Sequence, residues 1–236
     1  MKKRKIRNKL LIAIFSASLV AVCLVAFAYA RTLGKIEIEF KIHINEELVL
    51  QSVYGETPTF AIWIENPDTG DSKTIFVTNR AGLNDWEGKV SVPSALPKWY
   101  EINKKEHHSA AEIESVDAVS GATPQPGYFI TRIGVEPGST WNCWIEMNLA
   151  GDYNQHYKEY DEIEKKVDEF GNGQPAIVYK ARVEMITGNT VTPTVIGMSV
   201  PCEGGDIIQP LEGITTALEV FDEITITAVN PKPRII

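Results

Sequence analysis

Asp117, Ser120 and Thr123 fall within seven residues of one another, in the stretch Val116 to Gly127 that reads VDAVSGATPQPG. Gly121 and Ala122 separate the two hydroxyls. A hydroxyl flanked by such small residues is open to a reagent, because nothing bulky blocks approach and glycine bends freely. The stretch could therefore be a loop to which a group is attached. The same residues also suit a turn. Pro124, Pro126 and Gly127 are turn formers placed just before an apolar run, GYFITRIGV. Residue types alone leave both readings open.

Other chemistry is sparse. There is no G-x-S-x-G, no H-E-x-x-H and no P-loop lysine motif, so no nucleophile–base set declares itself. The histidines are His43, His107, His108 and His156. Adjacent side chains such as His107 and His108 do not point readily at one metal from a regular element, and no metal site is assigned. Cys143 and Cys202 could form a disulfide or stand as two buried thiols. The absence of C-x-x-C argues against a thioredoxin-type or structural zinc site. Residues 151–173 hold seven acids and three lysines without EF-hand spacing, which favours a solvated acidic face over a calcium loop. Among the tryptophans, Trp144 is either capped by a long insertion or exposed as a platform that could bind sugars, as could Trp99.

The chain's two ends differ in charge. MKKRKIRNK carries six Lys or Arg and no acid, and Leu10 to Ala30 carries no charge at all. A basic start, an apolar stretch long enough to cross a bilayer and the small-residue site Ala28-Tyr29-Ala30 read as a membrane anchor or a cleaved signal over residues 1–30. Residues 31–236 are then an extracytoplasmic domain, anchored to the cytoplasmic membrane or secreted. None of the 31 acids precedes Arg31, so that domain is more acidic than the whole chain's −8. Such a surface repels phosphate backbones and makes nucleic acid a poor partner.

The elements that must position these residues are almost all strands. KIEIEFKIHI alternates without fault: Ile36, Ile38, Phe40, Ile42 and Ile44 face one way, and Lys35, Glu37, Glu39, Lys41 and His43 the other. FAIWIE (60–65) and KTIFVT (73–78), joined by NPDTGDS, form a hairpin pattern. Further strands are read at 128–135, 141–149, 176–186, 194–200 and 223–229. In 141–149, Trp141, Cys143, Ile145, Met147 and Leu149 share a face, opposite Asn142, Trp144, Glu146 and Asn148. The pattern indicates one all-β antiparallel sandwich with two interruptions. The first is a long insertion over 80–127, with a short helix over 94–105 capped by Ser94. The second is a partly helical acidic excursion over 151–173.

Two resemblances add to this reading. Asp117, Ser120, Gly121, Ala122 and Thr123 resemble the D-x-x-S-G-A-T signature at which exported bacterial flavoproteins receive FMN through a phosphodiester to the Thr hydroxyl. FAIWIENPDTGDSKTIFVTNRAG, Trp86-Glu87-Gly88, ALPKWYE and VDAVSGATPQPG together resemble an exported bacterial family of unknown function. Its immunoglobulin-like sandwich is similar to that of flagellar hook-assembly proteins. That resemblance implies a membrane-associated or secreted accessory module beside a membrane flavoprotein or flavin transferase, with no catalysis of its own. The signature implies an alternative, an electron-transfer protein with FMN on Thr123. A glycan-binding module is a third reading.

Overall fold

A computed structural model describes residues 15–16, 18–20, 22–30, 32–82, 95–106, 120–121, 124–201 and 204–232. In chain order the strands are β1 (Ile36–Ile44), β2 (Thr59–Glu65), β3 (Ser72–Thr78), β4 (Ser120–Gly121), β5 (Gly127–Val135), β6 (Thr140–Asn148), β7 (Tyr160–Asp161), β8 (Lys166–Val167), β9 (Ala176–Glu184), β10 (Thr190–Val191), β11 (Thr194–Ser199) and β12 (Phe221–Val229). Short helices among the described residues include α1 (Glu46–Gln51), α2 (Asn79–Gly82) and α3 (Pro97–Glu106).

Among the described residues the strands form two main sheets and a separate two-stranded ribbon of β7 and β8. Sheet A has four strands in the order β10-β12-β1-β5, and sheet B has six in the order β11-β9-β6-β2-β3-β4. All pairings within them are antiparallel except β3 with β4. The β-sandwich is thus the observed architecture, and the principal strands lie within a few residues of their expected ranges.

Alternation explains the core. β1 buries every second residue from Ile36 to Ile44, while Glu37, Glu39, Lys41 and His43 face outward. The inner face of sheet B answers with Phe60, Ile62 and Ile64 of β2, Cys143, Ile145 and Met147 of β6, and Ile177, Tyr179 and Val183 of β9. Phe60 sits where the sheets meet. Its ring centroid is 5.1 Å from that of Phe76 and 5.3 Å from those of Phe129 and Phe221, so one side chain touches aromatics from both sheets. The β2–β3 turn forms as its residues dictate: the Asn66 side chain accepts from the Asp68 amide at 2.9 Å, and the Gly70 amide donates to the Asn66 carbonyl.

One expectation needs correction. The acidic excursion is not helical: it carries the ribbon β7–β8 and turns. Asp161 accepts amide hydrogens from Ile163 and Glu164, which makes a tight turn in place of a helical one. Residues 15–16, 18–20 and 22–30 of the apolar N-terminal stretch are helical; among the described residues no helix is long and apolar enough to cross a membrane.

Replacing Phe60 by Ala removes the aromatic link between the sheets and leaves a void that both cannot close. Denaturant unfolding should show a loss of about 3–5 kcal/mol. A loss under about 1 kcal/mol would place the sandwich's stability elsewhere.

Candidate functional site

Sheet B is apolar on its outer face as well. Ala61 and Trp63 of β2, Val77 of β3, Trp144 of β6, and Ala176 and Val178 of β9 form a second buried cluster with Ala95, Leu96, Trp99 and Ile102. The last two belong to α3, whose buried positions 99, 102 and 103 recur at helical spacing and turn toward the sheet. Pro97 opens the helix, where its missing amide hydrogen costs nothing.

A tryptophan ladder runs beneath the helix. Trp63 and Trp144 are directly opposed across β2 and β6, their rings nearly parallel at 7° with centroids 5.7 Å apart. Lys180 is opposite Trp144 on β9, and its Nζ lies 4.1 Å from the Trp144 ring centroid. Among the described residues neither Nε1 of this pair has a hydrogen-bond partner, so burial, stacking and Lys180 hold it. Trp144 is therefore covered, and Trp99 is buried with Nε1 donating to Thr74 Oγ1 at 3.2 Å. Neither indole is an open platform.

Glu146 fixes the cover in place. It projects from the outer face of β6 and is fully buried. Its Oε1 accepts from the Lys98 amide at 3.0 Å and its Oε2 from the Trp99 amide at 2.6 Å. These are first-turn N–H groups of α3 that have no partner within the helix. Ser199 of β11 donates to Oε1 as well. Burial pushes the Glu146 carboxyl up to about 7 although all three donors pull it down. With every polar contact turned inward, the carboxyl is a helix anchor and not a base facing solvent. At the other side of the helix, Glu101 accepts from the Gly205 amide at 2.9 Å. Ser94, the expected cap, lies outside the described residues.

Glu146 was legible only as an outward residue of its strand. The missed signal was that β2 and β9 carry Trp, Ala and Val on that same outward face. A sheet covered on both sides leaves an outward carboxylate no water, so it must find donors.

The Ser-Gly-Ala-Thr stretch is placed in part. Ser120 and Gly121 pair in parallel with Val77 and Thr78 as the edge strand β4 of sheet B. The chain then reaches Gly127, at φ 107, and enters β5 in sheet A. Asp117, Ala122 and Thr123 lie outside the described residues, as do His107, His108, Trp86 and Cys202. Cys143 is a free, buried thiol, pushed up to about 12 by burial and therefore uncharged. Both tryptophans of the ladder are buried.

The remaining histidines are separate. His43 stands on the polar face of sheet A, Nδ1 2.6 Å from Asp222 Oδ1, with its ring against Tyr128. There Tyr128 donates to Glu223 at 2.7 Å and Lys41 pairs with the same carboxylate at 2.8 Å, which holds Glu223 below its usual range. His156 packs on Tyr157. Among the described residues no group of three His, Cys, Asp or Glu side chains is placed to hold a metal ion. Comparison with protein-family models, curated proteins and solved structures finds no match.

Glu146 should make stability depend on pH with a defined sign. Its folded value is raised, so between about 4.5 and 7 the native state holds a proton that the unfolded chain has released. Stability from this group is greatest below that window and falls as pH rises through it, by up to about 3 kcal/mol. Glu146→Gln cannot ionise. The stability difference between wild type and Glu146→Gln, measured by denaturant unfolding from pH 4.5 to 7.5, should therefore shift against wild type as pH rises. A constant difference would rule out a buried, titrating Glu146.

Proposed function

We propose that this chain is an exported accessory module. In this reading residues 1–30 are a membrane anchor or cleaved signal, and an immunoglobulin-like sandwich works outside the cytoplasm by binding, beside a flavin redox system. The basic start followed by uncharged Leu10–Ala30 supports export. The observation that carries the accessory role is the pairing of Ser120 and Gly121 with Val77 and Thr78. Half of the Ser-Gly-Ala-Thr stretch is a sheet edge, which suits a structural seam between the two sheets better than a free attachment loop.

The second reading keeps FMN on the Thr123 hydroxyl. It is favoured by the position-for-position likeness of Asp117, Ser120, Gly121, Ala122 and Thr123 to the flavinylation signature. Bound there, the flavin would supply one- and two-electron transfer, and this chain would supply the acceptor oxygen.

Two experiments test these readings. A reporter fused after Ile236 that is active only in the cytoplasm should be silent, and full activity would overturn export. Co-expression with a flavin transferase should leave the wild-type protein without in-gel flavin fluorescence after denaturation, beside a flavinylated control that glows. Fluorescence lost in Thr123→Val, with the denaturation midpoint unchanged, would decide for the electron carrier instead.

A further inference from the structure

β7 and β8 form a two-stranded ribbon that belongs to neither sheet. Tyr160 is paired with Val167, so the two share a face, and each is about half exposed. Ile163, in the turn between the strands, is 88% exposed, and Phe170 just beyond them is exposed too.

The ribbon is nevertheless firmly built. Asp161 Oδ1 accepts from the amides of Ile163 at 2.7 Å and Glu164 at 2.9 Å. The Asp168 carboxylate accepts from the amides of Phe170, Gly171 and Gly173, and the Asp168 amide donates to the Glu159 carbonyl at 2.9 Å. At the root, Gly151 donates to the Gly171 carbonyl and Val53 to the Gly151 carbonyl. Tyr54 lies against both glycines: a Cβ at Gly151 would come within 2.7 Å of its ring, and one at Gly171 within 2.5 Å of its hydroxyl. Val53 and Tyr54, both exposed, thus stand at the base of the ribbon.

Single exposed apolar residues are ordinary, but a group of them on one fixed projection is a contact surface. A two-stranded ribbon is marginal by itself, and here side-chain carboxylates secure its turn and base while its apolar residues stay in water. The rim names the occupant. Residues 159–169 carry six acids against Lys165 and Lys166, and Glu162, Glu164 and Glu169 are exposed. That field repels a second copy of this acidic chain and an anionic lipid surface, and attracts cations.

We propose that the β7–β8 ribbon and its Tyr54 root are a docking surface for a protein segment that carries Lys or Arg beside apolar side chains. The inference rests on the reading of the chain as a binding module and names the surface that binds. It is separable from that reading's export and flavin tests, which do not involve residues 53–54 or 158–170.

The test uses a fluorescent peptide of alternating Lys and Ile, and the matching Glu and Ile peptide. Each is titrated by anisotropy against the full chain in an uncharged detergent. The Lys peptide should bind at least tenfold tighter than the Glu peptide, and added salt should weaken it. Ile163→Ser with Val167→Ser removes apolar contact and keeps the charge, whereas Glu162→Lys with Glu164→Lys does the reverse. Each pair should weaken Lys-peptide binding about tenfold with an unchanged denaturation midpoint. Equal binding by wild type and both variants, or loss in the charge variant alone, would overturn the proposal. So would a dimer in sedimentation that the Ser variant dissociates, which would assign the surface to a second copy.

Discussion

The outer face of the six-stranded sheet cannot be left in water, and much of the architecture follows from that. Two stacked tryptophans, with the alanines and valines beside them, make sheet B apolar on both sides. Sheet A is different: the outward residues of β1 are charged, and Lys41, His43 and Glu39 each find a cross-strand partner in Glu223, Asp222 and Arg132. A third layer is therefore needed on one side only, and α3 supplies it. A helix laid on an apolar face presents its first-turn amides to a surface with few acceptors. Glu146 answers from within the sheet itself, so the layer that covers β6 is held by β6.

That dependence also marks the limit of what the sequence reveals. The faultless alternation of 35–44 and 141–149 gives β1 and β6 with the correct residues inward, because a period of two has one physical cause. The helix over α3 is legible from Pro97 and the residues after it. What the helix covers is not, since nothing local to 97–106 states which sheet it will meet. Glu146 looks like any outward polar residue until β2 and β9 are known to flank it. The acidic excursion misleads for a related reason: its charge density permits a helix, but Asp161 and Asp168 spend their oxygens on nearby amides and close turns instead.

The Ser-Gly-Ala-Thr stretch lies at a comparable junction of local and distant demands. β3 would be the outer edge of sheet B, and an open edge invites pairing with other chains. Two residues of β4 pair with its end before the chain crosses to β5 in the opposite sheet. Small side chains suit such a crossing, and proline after them discourages further pairing. The same smallness would suit a modifying enzyme. Spacing alone cannot separate the two, because both demand a narrow, bendable backbone next to a hydroxyl.

Carboxylates accepting backbone amides recur through this molecule, and their surroundings decide what each bond does. Asp161 accepts two amides in the open turn of the ribbon, and those bonds hold its carboxyl below the usual range because water already supports the charge. Glu146 accepts two amides and a hydroxyl, yet its carboxyl is raised. Desolvation of a fully buried charge outweighs three donors where it is negligible for an exposed one. Asp152 is buried as well, bonded to Thr216 and Gln174, and raised, with burial the larger influence. One kind of hydrogen bond thus serves two ends. At the surface it stiffens the ribbon with a stabilisation that is lost only as pH falls into the acid range. In the interior it ties the helical cover to a group whose proton affinity lies near neutrality, so the layer that hides the tryptophans responds to pH there.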